Sequence, residues 1–154
     1  MLSKALNPRA EWYRGDFHAH TSYSDGEHTP AQLVGVAIAE GLDFFAVTDH
    51  NTIEAFPEFG EQKEMLVIPG LEVTLKDGYF NVFGMEGWLD WIEHVHTGEN
   101  TIEWTGIYWT TTALMQRTSS QRLLNSINHP LLPWEPPWSG ATGHGARWAP
   151  LAVE

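Results

Sequence analysis

The sequence lacks cysteine, which limits the chemistry open to it. Disulfide bonds, thiolate zinc sites and cysteine nucleophiles are all excluded. Any metal ion would therefore be held by imidazole and carboxylate groups. Those ligands suit zinc, manganese or iron.

Positive charge is scarce, with 8 Lys and Arg against 20 Asp and Glu and a formal net charge of -12. A nucleic-acid-binding protein needs a basic face, so we expect no nucleic acid among the partners. The excess carboxylates could gather cations, or could serve only to keep the protein dissolved. Composition leaves both interpretations open.

Long hydrophobic runs are also missing. No run approaches the ~20 apolar residues of a membrane-spanning helix, so we expect no membrane partner. The first residues are polar and interrupted by Pro8, unlike an export signal, and a cytoplasmic location is the default expectation. The 154 residues, 42% of them hydrophobic, suffice for one domain with its own core.

Strand and helix patterns alternate in the first third of the chain. An extended segment over 12–20 precedes a helix whose N-cap is Thr29. Pro30 takes the first helical position and Gln32 completes a capping box. The apolar run over 43–48 is typical of a strand covered on both faces. Together these segments predict a βαβ unit in a parallel sheet.

The rest of the chain contains fewer recognisable strand and helix patterns. A third buried strand is predicted over 65–68, ending at Glu72, and extended chain then leads into a hairpin whose returning arm covers 79–83. We expect a helix within 110–124 and a fourth strand over 123–127. The predicted organisation is a lead-in, a metal-binding domain and an irregular tail containing Pro, Gly and Trp, over residues 1–13, 14–130 and 131–154.

Candidate metal ligands stand at or just after the predicted strand ends. They are His18, His20, Asp25, His50, Glu72 and His129. His18 and His20 point to the same side of an extended chain, so both can reach one ion. In a parallel β/α architecture the carboxyl ends of the strands share one face, which would bring all six together.

These residue types fit a site with more than one ion. The two oxygens of Glu72 could bridge two cations, and such a pair can share a hydroxide and clamp a phosphate ester. Asp16 and Asp49 could each orient a ligand imidazole, although Asp16 could instead accept a backbone N–H. His96 is a weaker candidate ligand, because its neighbourhood is typical of an exposed hairpin or loop.

Four motifs, in order, resemble those of the PHP (polymerase and histidinol phosphatase) family. They are Asp16-Phe17-His18-Ala19-His20-Thr21 with Ser24-Asp25-Gly26, then Thr48-Asp49-His50-Asn51, then Pro69-Gly70-Leu71-Glu72-Val73, and then Asn128-His129-Pro130. The resemblance covers roughly residues 14–130. It implies an α/β fold, a distorted β/α barrel with two or three metal ions at its mouth. It also implies metal-ligand roles for the six residues above and hydrolysis of phosphate esters.

The sequence departs from the family pattern at two places. Tyr79 stands where a histidine commonly follows the hairpin glycine. A final Gly-x-Asp-x-His motif does not follow Asn128-His129-Pro130. We therefore expect a partial barrel, whose exposed sheet edge and apolar surface would favour self-association into a homo-oligomer.

The predicted function is metal-dependent hydrolysis of a small phosphate ester, or of a related ester or carbamate. Water activated by two or more divalent ions would attack the substrate, and no dedicated side-chain nucleophile is required. The alternative is a non-catalytic, metal-binding remnant of the barrel with a structural or interaction role.

Overall fold

The computed structural model describes residues 12–75, 78–88, 94–96, 102–104 and 110–129. Most of the predicted lead-in and all of the predicted tail lie outside these residues, so the proposed domain boundaries stay predictions. In chain order the elements are β1 (Gly15–Ala19), α1 (Pro30–Ala39), β2 (Phe44–Val47), α2 (Phe56–Phe59), β3 (Leu66–Leu75), β4 (Gly78–Phe83), β5 (His94–His96), β6 (Ile102–Trp104), α3 (Thr111–Ser120) and β7 (Leu124–Ile127).

Five of the strands form one sheet in the order β1-β2-β3-β4-β7. The first three run parallel, whereas β4 is antiparallel to both β3 and β7. It follows that β7 runs in the same direction as β1, β2 and β3. The carboxyl ends of β1, β2 and β7 therefore face the same way, although β7 is reached through an antiparallel neighbour.

The sheet is strongly curled, as shown by contacts between β1 and β4, which are not neighbours in it. The Asn81 amide of β4 donates to the carbonyl oxygen of Phe17 in β1 at 3.2 Å. The rings of Phe17 and Phe83 also pack edge to face, with centroids 5.7 Å apart. The result is a mixed α/β half-barrel, which confirms the predicted partial β/α barrel.

The predicted βαβ unit is confirmed at its helix start. Thr29 caps α1, and its hydroxyl and the Gln32 side chain form the two reciprocal bonds of a capping box. Val34 and Ala37 on the inner face of α1 pack with Phe45 of β2 in one buried cluster. This packing fixes the parallel strands that carry the first histidines.

One long strand, β3, replaces the predicted third strand that ended at Glu72, and that prediction of its end is wrong. Its first half pairs with β2 and its second half pairs with β4, so the chain has no reason to break between them. A Cβ on Gly70, where the pairing changes, would lie 2.9 Å from the Val82 oxygen and 3.0 Å from the Val47 oxygen. Both neighbouring strands therefore approach too closely for a side chain there.

The later elements agree with their predictions. The hairpin of β3 and β4 forms, with turn residues 76 and 77 outside the described part, and α3 and β7 lie where expected. The short helix α2 falls in a polar segment for which no helix was predicted. The antiparallel pair of β5 and β6 matches the expected hairpin around His96, whose side chain lies outside the described structure. None of the described helices has the length and apolar character needed to cross a membrane.

Candidate metal centre

The Glu72 carboxylate lies at the centre of the histidine cluster and is 1% exposed. Its Oε2 lies 3.0 Å from Nε2 of His18 and 3.2 Å from Nε2 of His20. Nδ1 of His50 lies 3.4 Å from the same oxygen. Three imidazoles from two different strand ends thus surround one carboxylate oxygen.

The second oxygen of Glu72 faces β7. Oε1 accepts a hydrogen bond of 2.7 Å from the Asn128 amide and lies 3.3 Å from Nε2 of His129. The same Asn128 nitrogen donates to the Asn81 side chain at 2.8 Å. Glu72 is thereby tied to β4 and β7 on one side and to the histidines of β1 and β2 on the other.

Asp25 joins the cluster from the loop after β1. Its two oxygens lie 3.5 Å from Nδ1 of His20 and 3.5 Å from Nε2 of His50, and its side chain is 65% exposed. His20, Asp25 and His50 form one group of donor atoms close enough to hold a cation, and His18, His20 and Glu72 form another. The structure therefore brings all six predicted ligands together, and their coordination of a metal stays a prediction.

The donor spacing matches what a cation would require. Nitrogen and oxygen ligands at 2.0–2.2 Å from a tetrahedral ion lie about 3.4 Å from one another. The distances of 3.0 and 3.2 Å from Glu72 Oε2 to Nε2 of His18 and of His20 fall close to that value. The set of imidazoles and carboxylates fits zinc, manganese or iron.

The environment keeps Glu72 ionised. Burial alone would raise its pKa, but hydrogen bonds with His18 and His20, the charge of His50 and the Asn128 amide together bring the pKa well below its ordinary value. A buried, negatively charged carboxylate surrounded by nitrogen atoms attracts cations strongly.

The two central histidines shift in opposite directions. Burial lowers the pKa of His20, yet the hydrogen bond with Glu72 and the nearby negative charges outweigh burial and raise it. Burial also lowers the pKa of His50, and there it prevails over the attraction of Glu72. His50 is therefore the more readily neutral of the pair, which is the form that binds metal.

The carboxylates of Asp16 and Asp49 contact groups other than the expected imidazoles. Asp16 accepts the backbone N–H of His18 at 2.9 Å, which is the simpler of its two predicted roles. Asp49 is 1% exposed and accepts from the backbone and hydroxyl of Thr21 and from the hydroxyl of Ser24. It therefore orders the loop that carries Asp25. Their predicted action on imidazoles stays a prediction.

Sequence reasoning missed three supporting residues. The Thr74 hydroxyl lies 2.6 Å from Nδ1 of His50. Asn81 and Asn128 join Glu72 to β1 through their side-chain amides. Thr74 could have been found, because it stands two residues after Glu72 on the same face of a strand. Asn81 could also have been found as a polar residue inside an apolar strand.

The backbone has a positive φ at one site histidine, His129, and at the residue after another, His50. Asn51 has a φ of 46° and His129 a φ of 23°. Asn51 donates its N–H to the Glu72 carbonyl, and its side chain exchanges two hydrogen bonds of 2.9 Å with the backbone of Thr74. These bonds offset the cost of the left-handed conformation and fix His50 against β3.

The family model of the PHP domain matches residues 16–133. The chain belongs to the PHP domain family. This match covers every candidate ligand, and it agrees with the resemblance of the four motifs. The family's members suggest divalent metal ions, and the clustered histidines and carboxylates of this chain are compatible with them.

Individual relatives match shorter parts of the chain. A PolC-type DNA polymerase III from Staphylococcus saprophyticus is 37% identical over 83 residues, or 53% of this chain and 5% of the polymerase. The 5'-3' exoribonuclease Rnm of Salmonella typhimurium is 38% identical over 64 residues, or 38% of this chain and 22% of that protein. The chain thus spans well under half the length of these curated relatives.

A solved structure shares the fold over most of the chain. It is a two-domain protein from Bacteroides vulgatus that contains a predicted PHP-like metal-dependent phosphoesterase. The two match with a TM-score of 0.56 and 23% identity, over 90% of this chain and 39% of the other. This similarity supports the half-barrel assignment.

Proposed function

We propose that this domain is a metal-dependent hydrolase that cleaves a small phosphate ester. The observation that carries the proposal is the buried Glu72 carboxylate, with three imidazole nitrogens around one oxygen and His129 beside the other. Such a site attracts cations, because its carboxylate is held ionised away from water.

Within the proposed site, His18, His20 and Glu72 would hold one cation, and Asp25 and His50 would hold a second. His129 lies beside the other oxygen of Glu72, with its Nε2 3.3 Å from Oε1. When bound, two divalent ions lower the pKa of a water molecule and neutralise charge on a phosphoryl group. The side chains of this domain position the ions, and no serine or cysteine nucleophile is needed.

The substrate class follows from charge. A net charge of -12 disfavours a polynucleotide, whereas the cations of the site would attract a small anionic ester. A carboxylic ester or a carbamate is a related substrate, since its carbonyl carbon could be attacked by the same activated water. The cytoplasmic location, the lack of a membrane partner and self-association are proposed on sequence grounds alone.

A non-catalytic, metal-binding domain is the second candidate. It is favoured by one observation: the sequence contains no Gly-x-Asp-x-His motif after residue 130. Such a domain would keep the ligands described above and bind cations without turning over an ester.

The two candidates separate in one set of measurements. The purified chain is analysed for metal content and assayed with a nitrophenyl phosphate, a nitrophenyl ester and a single-stranded oligonucleotide, with manganese or zinc added. The hydrolase predicts bound metal and turnover of the phosphate, which manganese or zinc increases. Bound metal without turnover of any substrate would support the second candidate.

A double variant tests the site itself. His18→Ala with His20→Ala removes two of the three donors of one group and one of the three donors of the other, and should abolish both tight metal binding and turnover. His28→Ala is the matched control, because His28 is an exposed histidine in the same loop region. Unchanged metal content in the double variant would show that the ligands lie elsewhere.

A further inference from the structure

Thr74 is placed so that its hydroxyl meets one nitrogen of His50. Its Oγ1 lies 2.6 Å from His50 Nδ1, and the residue is 9% exposed. Asn51 holds the backbone of Thr74 from both sides, through hydrogen bonds of 2.9 Å to its N–H and its carbonyl. The hydroxyl is therefore fixed in position rather than free to turn toward water.

The surroundings of His50 favour one position for its proton. A neutral imidazole carries a single N–H, on Nδ1 or on Nε2. Two oxygens face Nδ1, from Thr74 at 2.6 Å and from the ionised Glu72 at 3.4 Å. The Thr74 hydroxyl proton has its own acceptor, the Glu72 carbonyl oxygen at 3.3 Å. The Thr74 oxygen is therefore available to accept from Nδ1–H.

The other nitrogen of His50 faces a different group. Nε2 lies 3.5 Å from an oxygen of Asp25, a largely exposed carboxylate on the loop after β1. If Nε2 carries no proton, this nitrogen and the neighbouring Asp25 oxygen can together coordinate a cation. The proton position on His50 thus decides whether this side of the cluster can bind an ion.

We propose that Thr74 is a positioning residue that keeps the His50 proton on Nδ1 and so presents Nε2, with Asp25, to a divalent cation. This role of Thr74 rests on the proposed function, because it serves the proposed metal site. The position of the His50 proton is, however, a property of the metal-free protein and can be measured independently of turnover. Hydrogen bonds of this kind commonly fix the tautomer of metal-binding histidines.

The first test measures the tautomer directly. The full chain, labelled with ¹⁵N and freed of metal with a chelator, is studied by NMR at about pH 8, above the ordinary histidine pKa of about 6.5. His50 is assigned by comparison with His50→Gln. We expect nitrogen shifts of an Nδ1-protonated ring. A ring protonated mainly on Nε2 would overturn the proposal without any variant being needed.

The second test removes the hydroxyl. Thr74→Val keeps the shape of the side chain, and we expect the His50 shifts to move toward a mixture of the two tautomers. Thr74→Ser restores the hydroxyl and should restore the wild-type shifts. Unchanged shifts in Thr74→Val would contradict the proposal.

The third test measures the affinity for manganese by titration calorimetry. We expect Thr74→Val to weaken binding at the His50 side by about 10- to 100-fold, with recovery in Thr74→Ser. Thr118→Val is the control, since Thr118 is a buried threonine of α3 whose hydroxyl bonds to the helix backbone and Asn125. Equal weakening in both valine variants would point to general destabilisation and overturn the specific role of Thr74. Absence of manganese binding in the wild type would instead refute the proposed function and leave the tautomer result standing.

Discussion

At the scale of single residues, Glu72 combines two properties that rarely coincide. Its side chain is almost completely withdrawn from water, and its carboxylate nevertheless has a pKa below the ordinary value. Burial would favour the protonated acid, so the nitrogen donors around Glu72 must supply the compensating interactions. The stability of the metal-free protein should therefore depend on this carboxylate and on pH.

Glu72→Gln should lower the free energy of unfolding of the metal-free protein, by about 1–3 kcal/mol near neutral pH, because it removes a charged acceptor. The folded-state pKa of Glu72 lies below the unfolded value of about 4.3. Its contribution is therefore complete above that value and is lost as the pH falls through the folded pKa. Urea unfolding at several pH values should show the two proteins converging in acid. A gap that widens toward low pH would contradict this sign.

Asn128 should matter for stability as well as for the site. Its buried amide donates both to Glu72 and to Asn81, so Asn128→Ala leaves two acceptors short of a donor. We expect a loss of about 1–3 kcal/mol in urea unfolding. Ser126→Ala, on the preceding strand β7, removes an exposed hydroxyl and should change stability by under about 0.5 kcal/mol. Similar losses in both variants would count against the amide network.

At the scale of elements, the loop between β1 and α1 is built around a close backbone contact. A Cβ on Gly26 would lie 2.3 Å from the carbonyl oxygen of His20. The Gly26 N–H also donates to the carbonyl of Thr21 at 3.0 Å. The loop that presents Asp25 can therefore close over His20 only if residue 26 has no side chain.

Gly26→Ala should push this loop outward, lower stability by about 1–3 kcal/mol and weaken manganese binding, which calorimetry would measure. Gly35→Ala is the matched substitution, because Gly35 lies in α1 with open space where a Cβ would be. There alanine should add about 0.5–1 kcal/mol of stability by favouring the helix. Unchanged manganese affinity in Gly26→Ala would show that loop closure does not control the site.

Local patterns predicted the elements well where the cause was local. The capping box at Thr29 and the apolar run of β2 each depend on residues close in sequence, and both formed as expected. The predicted end of β3 at Glu72 was wrong, although the extended chain and the hairpin beyond it were predicted. The strand is continuous because its first half pairs with β2 and its second half with β4, and a sequence pattern does not contain this double pairing.

The site was predictable for a related reason. Most of its candidate ligands are polar groups at the ends of apolar strands, and strand direction alone brings most of them to one face. The supporting contacts of Asn128 were less predictable, because they arise from the curl of the sheet and from side-chain directions. The role of Asp49 in ordering a loop follows from the same three-dimensional packing.

At the scale of the whole molecule, the proposed ions would join strands from both edges of the sheet, since β1 and β7 are its two edge strands. Their ligands come from the ends of β1, β2 and β7 and from the middle of β3. A ligand that binds the folded state alone raises stability by about 2.7 kcal/mol when present at 100 times its Kd. We therefore expect cation binding to stabilise the entire half-barrel.

Removal of metal with a chelator should lower the thermal unfolding midpoint, and addition of manganese or zinc should restore it. The variant carrying His18→Ala and His20→Ala should show little response to either treatment, whereas His28→Ala should respond like the wild type. Differential scanning calorimetry provides the measurement. An equal response in the double variant would mean that the cations act elsewhere on the acidic surface.

The amide chain from Glu72 through Asn128 and Asn81 to Phe17 also bears on how the protein folds. Its three hydrogen bonds join residues that are 56, 47 and 64 positions apart in the sequence. Contacts of such long range form late, after the entropy of closing the intervening loops has been lost. During synthesis this chain cannot close until Asn128 has left the ribosome. A cation whose binding requires these hydrogen bonds would then bind the completed half-barrel in preference to its folding intermediates. Cation binding would therefore distinguish completed molecules from nascent ones.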